Sequence, residues 1–389
     1  MALRTAWMML CCGTALAAAA LAPIRYGDAD GRFPGLPPRT ALRPAADGSY
    51  TVTLSEELGL AYANEVLQYR LDGLKDANTA AWTLLNEQGK PVPFQLDLAP
   101  GEPPAAHLWL LADRLDAGAT RRFRLVKRPS APRSPFTVTE QGSLLEIRNG
   151  VTGARVPKSA PITAGDAPGP LQGVLGVSGT WLGRSALQHA GQPTAVESAV
   201  TVAGPVRAVV SVRYTFADPA SSYQLDMELH AASPAIRVIE QGTFPNADGR
   251  LLITFDDWAP DHGIRPNVFS QQVLHDRYTG KAASQLALNN LRPYTGGGWY
   301  GLCKDGEADF LSVIPFLGGY WSPGYPVMVA CAENGHPRLE SYLNVAFHAF
   351  MLVPSDARTA IRASAVPADA PVTRTEKPSA VQQALARTA

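Results

Sequence analysis

The chain has 389 residues, 46% of them hydrophobic and only 17% charged, with 34 basic residues against 34 acidic. That length is enough for two or three domains with a real core. The even charge balance excludes the basic footprint of a nucleic-acid binder or of a protein drawn to anionic membrane surfaces.

The first residues, "MALRTAWMMLCCGTALAAAALAP", carry one Arg, then an apolar run, then small residues. This is the pattern of a secretory leader over residues 1–22, with cleavage after Ala20 or Ala22. Pro23 makes the second site less favourable. Cys11 and Cys12 raise lipidation as an alternative, but no small residues precede them and the apolar run continues past them. No other apolar run approaches the ~20 residues that span a bilayer. The expected product is periplasmic or extracellular, with no membrane insertion after leader removal. Cys303 and Cys331 would then meet an oxidising compartment. Each ends a strand-like segment, "WYGLC" and "VMVAC". A disulfide between them stays open: with a single strand between, they would lie two strand spacings apart, beyond disulfide reach.

Residues 23–48 are rich in Pro, Gly and Asp and read as an extended lead-in. A small β-domain is expected over 49–128. Its segments "SYTVTL", "EVLQYRLD", "AAWTLLNEQGKPVPFQLDL", "AHLWLLAD" and "TRRFRLVKR" are short and alternating, with turn chemistry between them. "RPSAPRSP" is the linker. A second series over 136–355 runs from "SLLEIRNG" through "VESAVTVAGPVRAVVSVRYTF", which breaks at Gly204-Pro205. In "YQLDMELHA", Tyr223, Leu225, Met227 and Leu229 fall on one face, and Gln224, Asp226, Glu228 and His230 on the other. "AIRVIEQGTF", "RLLITFDDW", "ADFLSVIPF", "YPVMVACA", "RLESYLNV" and "AFHAFMLV" continue the series. Period two nearly throughout predicts an all-β fold: a small N-terminal β-domain, then a large antiparallel sandwich. Residues 356–389 read as a loose Ala/Pro-rich tail.

The segment "EVLQYRLDG…GKPVPFQLD…HLWLLADRLDAGATRRFRL" resembles the small N-terminal β-domain of secreted bacterial carbohydrate-active proteins. "SLLEIRNGVTGARVP", "GPVRAVVSVRYTF", "YQLDMELHAASPAIRVIEQ" and "AFHAFMLVPSDA" resemble strands of the galactose-mutarotase-like supersandwich. The likeness spans roughly 49–355 and is greatest to the N-terminal half of exo-rhamnogalacturonan-lyase-like and related uronic-acid lyases. It implies a supersandwich and action on an acidic polysaccharide. Many such lyases add a helical toroid, for which these residues hold no segment. The resemblance therefore leaves three functions open: a polysaccharide lyase, a non-catalytic glycan-binding or accessory module, and a mutarotase-type epimerase.

Candidate chemistry concentrates in three stretches. "RPYTGGGWYG" lacks the spacing of a phosphate loop and is followed by a strand-like run, not a helix. With "GGYWSPGYP" it gathers Tyr294, Trp299, Tyr300, Tyr320 and Trp321, rings suited to stacking on sugar faces, or equally to a sandwich core. "TFDDWAPDHGIRPNVF" reads as a loop after a strand and holds Asp256, Asp257, Trp258, Asp261, His262 and Arg265. His262 or Tyr294 would move a proton, and Arg265, with Arg292, would hold a uronate through a bidentate fork. Paired carboxylates of the same loop could instead act as acid and base on a glycosidic bond; the loop also reads as a solvated surface turn with Asp caps, or as a calcium site without EF-hand spacing. His275, Arg277 and Tyr278 extend the stretch or lie on the surface. Glu240 reads as a solvated strand carboxylate or a mutarotase-type base, and His348 as a packed core histidine. GxSxG, HExxH and CxxC are absent. No cofactor and no metal are expected; the expected partner is a polysaccharide or oligosaccharide, not nucleic acid.

Overall fold

The computed structural model describes residues 21–24, 41–57, 59–98, 105–163, 167–188, 191–245, 249–255, 263–267, 299–303, 309–316, 328–333, 336–342 and 348–356. The first region contributes β1 (Tyr50–Ser55), β2 (Tyr62–Asp72), β3 (Thr83–Leu85), β4 (Pro91–Val92), β5 (Phe94–Leu98), β6 (Ala105–Leu115) and β7 (Thr120–Val126). They form two antiparallel sheets, ordered β1-β7-β3-β4 and β2-β6-β5. Their facing sides share one core, with Val52, Leu84, Leu108, Leu110, Phe123 and Leu125 at most 1% exposed. The turn "NEQGKP" closes as an Asx turn. Asn86 Oδ1 accepts from the amides of Gln88 at 3.1 Å and Lys90 at 2.9 Å, and Gly89 takes φ 71°, a conformation costly to other residues.

The second region begins with β8 (Thr137–Gln141), β9 (Leu144–Arg148), β10 (Gly153–Pro157), β11 (Ala160–Pro161), β12 (Gly173–Leu175), β13 (Trp181–Leu182) and β14 (Arg184–Gln188). Next come β15 (Pro193–Ala203), β16 (Arg207–Phe216), β17 (Ser222–His230), β18 (Ile236–Thr243) and β19 (Arg250–Thr254). The series ends with β20 (Gly263–Asn267), β21 (Trp299–Cys303), β22 (Asp309–Phe316), β23 (Met328–Glu333), β24 (His336–Tyr342) and β25 (His348–Asp356). They build a five-stranded sheet (β13-β12-β10-β9-β8), a four-stranded sheet (β14-β19-β24-β23) and a nine-stranded sheet (β11-β15-β16-β17-β18-β25-β22-β21-β20). One core joins all three. Val210, Leu225, Val238 and Leu352 of the nine-stranded sheet pack with Ala154 and Val156 of the five-stranded sheet, and with Leu251 and Leu339 of the four-stranded sheet. Burying each large apolar side chain stabilises the fold by about 1.5–3 kcal/mol. The fold is all-β; among the described residues the only helical turn is a 3-10 turn at Thr79–Ala81. No helix among them is long and apolar enough to cross a membrane.

One expectation changes. The stretch 254–269 is not wholly a loop: Gly263–Asn267 forms β20, paired with β21 from Gly263↔Cys303 to Asn267↔Trp299. Pro266 hid it, because proline interrupts strand patterns. Among the described strands β20 is the last of its sheet, a position where a missing N–H is tolerated. Cys303 and Cys331 lie in different sheets, on β21 and β23, so the case of a single strand between them does not arise.

Candidate functional site

The nine-stranded sheet has two unlike faces. On β17, Tyr223, Leu225, Met227 and Leu229 enter the core, and the pleat turns Gln224, Asp226, Glu228 and His230 to the reverse side. Register rows extend the reverse face across the sheet, where the polar groups of β17 sit among apolar neighbours as well as polar ones. Ser211, Asp226, Ile239 and Ala349 form one row; Val209, Glu228, Arg237 and Met351 form the next. Asp226 and Glu228 are 1% and 2% exposed, so the reverse side of β17 is covered at these positions.

Glu228 is the most heavily engaged group. It meets Arg207 Nε at 2.7 Å, His230 Nε2 at 2.8 Å and Arg237 Nη1 at 3.4 Å. Burial opposes its ionisation, but Arg207 and Arg237, with His230, outweigh that and hold its carboxyl well below the usual range. Burial pushes the His230 imidazole down; Glu228 pulls it up, without reversing the shift, so the ring is neutral near pH 7. Arg207 also ties the first region to this face. Its Nη1 meets Asp97 at 3.0 Å, its guanidinium lies 4.6 Å from the Trp109 ring centroid, and its amide donates to Gln95 Oε1 at 3.2 Å. Trp109 and His230 add a ring contact at 6.0 Å.

Asp226 differs. Burial pushes its carboxyl up to about 6, against hydrogen bonds from Gln224, Ile24 and Ser211 that pull it down. Gln224 Nε2 donates to Asp226 Oδ1 at 3.0 Å, and the amide of Ile24 donates to Oδ2. A carboxyl that titrates near pH 6 is suited to proton transfer. Here it is covered by the chain's own residues.

Glu240 lies on the core side of the same sheet, fully buried, and is neither solvated nor open to a cleft. The Tyr223 hydroxyl donates to it at 3.0 Å and the Ser341 hydroxyl donates from β24, so it pins the nine-stranded sheet to the four-stranded one. His348 is its register partner on β25.

Of the sequence-derived candidates, Arg265, Trp299 and Tyr300 fall in strands. Arg265 pairs with Gly301, and Gly301 pairs with Ser312, in one row crossing β20, β21 and β22. Asn267 pairs with Trp299, which makes 265 and 299 diagonal positions on adjacent strands, with Cα atoms roughly 7–8 Å apart. Tyr300 pairs with Pro266 and Val313, the alternate row. His262, Tyr294, Trp258, Arg292, Tyr320, Trp321, Asp256, Asp257, Asp261, His275, Arg277 and Tyr278 lie outside the described residues. Among the described residues, no three His, Cys, Asp or Glu side chains converge as a metal site.

Sequence reasoning saw the alternation of β17 but gave its polar face no role. The available signal was a strand with charge at alternate positions inside a long β series. Arg207 and Trp109 gave no local signal, because their association spans 98 positions of chain.

No family model and no curated protein sequence matches the chain. It is similar in structure to an alpha-mannosidase from Enterococcus faecalis V583, at 9% identity and TM-score 0.45, over 79% of this chain and 43% of that one. It is also similar to a protein of glycosyl hydrolase family 38 from Enterococcus faecalis, at 9% identity and TM-score 0.49, over 81% and 45%. The chain thus spans less than half the length of either structure.

Proposed function

We propose that this is a secreted carbohydrate-active protein that binds an acidic polysaccharide on the reverse face of the nine-stranded sheet and cleaves it as a lyase. Arg265, helped by Arg292, holds the uronate through its planar fork. His262 or Tyr294 takes the proton beside the carboxylate; the glycosidic C–O bond breaks as the C=C forms, and the leaving oxygen regains a proton. Trp258, Trp299, Tyr300, Tyr320 and Trp321 stack on sugar rings. The observation that carries this reading is the diagonal juxtaposition of positions 265 and 299 on β20 and β21, which brings a carboxylate-binding residue type beside a ring-stacking one.

A second reading, a glycan-binding module without chemistry, is favoured by a different observation. Glu228 is committed to two arginines and to His230, and Asp226 is covered and held by amide donors, so neither is poised as a base toward a ligand. A panel of acidic polysaccharides separates the two readings. Ultraviolet absorbance reports unsaturated uronyl ends, and gel retardation reports binding. Lyase action predicts rising absorbance on one substrate and its loss in His262→Ala or Tyr294→Phe. Retardation without a rise would replace the lyase by the binding module. Neither signal on any substrate would remove both.

A further inference from the structure

Residues 21–24 lie across the reverse face, and their contacts repeat with the spacing of the strand beneath. Gln224 Nε2 donates to the Ala22 carbonyl at 2.7 Å, and the Ile24 amide donates to Asp226. Positions 22 and 24 thus match 224 and 226, two residues apart on each side and in the same direction. Two extended residues advance by roughly 6.5 Å, so an extended segment running parallel to β17 meets both groups at once. Pro23 suits this geometry. It fixes its own φ, biases Ala22 towards extended backbone, and has no N–H to leave unpaired between the two contacts. Asp226 beneath is 1% exposed and 202 positions away in sequence.

We propose that Leu21–Ile24 is a built-in strap whose receptor is the Gln224–Asp226 pair, and that the leader is removed after Ala20, which leaves the strap whole. Cleavage after Ala22 would delete the carbonyl that Gln224 holds; cleavage after Ala20 keeps both contacts and puts the new α-amino group at Leu21. The strap covers Asp226 until something displaces it. If the reverse face takes a polysaccharide, which rests on the function proposed above, strap and ligand compete.

The test uses the full chain expressed with its leader. Mass spectrometry of the secreted protein should find Leu21 as the first residue; a start at Pro23, or retention of the leader, would overturn the processing assignment. Hydrogen exchange on the N-terminal peptide should show the Ile24 amide slowed at least ~10-fold in the wild type and released in Gln224→Leu. Exchange at the unprotected rate in the wild type would overturn the strap. Ile24→Pro, which deletes the strap's own donor to Asp226 and leaves that of Gln224, should tighten binding of the polysaccharide found in the panel. Unchanged affinity would sink the competition. If no polysaccharide binds either protein, the functional reading fails, and the exchange result still judges the strap.

Discussion

The molecule builds the same constellation twice: a buried glutamate, two arginines and a tryptophan. On the nine-stranded sheet these are Glu228, Arg207 and Arg237, with His230 beside them and Trp109 reaching in from β6 of the first region. On the five-stranded sheet they are Glu146, Arg148, Arg155 and Trp181. Arg148 and Arg155 reach Glu146 at 2.8 and 2.6 Å and lie 5.1 and 4.0 Å from the Trp181 ring centroid. Both glutamates are nearly unexposed, and both are held below the usual carboxylate range: burial resists, and the arginines prevail. The difference is where the partners come from. The second set is local, drawn from residues 146–181, and its ring sits close over Gly153, where an added Cβ would lie 2.7 Å from the Ile147 carbonyl. The first set joins regions far apart in sequence, through Asp97, Gln95 and Trp109. The same chemistry stiffens a run of short strands in one place and closes an interface in the other.

Breaking the long-range set should cost most. Arg207→Ala removes a cation from a glutamate that cannot reach water, along with the Asp97 pair and the cover over Trp109. Urea denaturation should show a loss of about 3–5 kcal/mol. Next is Asp226, which shares the reverse face with Glu228 but lacks its cations. The folded carboxyl, near 6, binds more protons than the unfolded one, near 3.8, throughout the window between them. Its contribution to stability therefore falls as pH rises through that window, by about 3 kcal/mol in all. Asp226→Asn should remove this slope, so urea midpoints of variant and wild type should diverge in the variant's favour between ~pH 4 and ~pH 7. Parallel profiles would contradict the burial argument. The smallest effect belongs to the local set. Arg148 is 39% exposed and Glu146 keeps Arg155, so Arg148→Ala should cost only about 1 kcal/mol in the same assay.

The comparison also explains what the sequence could reveal. Strands such as Thr120–Val126 and Ser222–His230 were legible because period two exposes their buried face. The break at Gly204-Pro205 was legible from turn chemistry, and β15 does end at Ala203 and β16 begin at Arg207. The short strands β11–β14 lay hidden between "SLLEIRNGVTGARVP" and "VESAVTV", where no strand was expected; with two to five residues each, they are too short to show a period. β20 was hidden by Pro266, because a proline interrupts the pattern of a strand this short. Glu240 looked like a surface carboxylate because nothing near it in sequence announces Tyr223 or Ser341 as donors. The Arg207 cluster could not be read at all, since its members meet only after two sets of sheets have formed.

The central claim is that the reverse face of the nine-stranded sheet, and not the outer face of the five-stranded one, takes the polysaccharide. The most direct measurement is the affinity of one acidic polysaccharide for the wild type, Arg265→Ala and Arg148→Ala under the same salt conditions. Losing a charge-assisted fork predicts at least ~10-fold weaker binding for Arg265→Ala, with Arg148→Ala within about twofold of the wild type. Loss of binding in Arg148→Ala, with Arg265→Ala unchanged, would move the site to Trp181 and contradict the account.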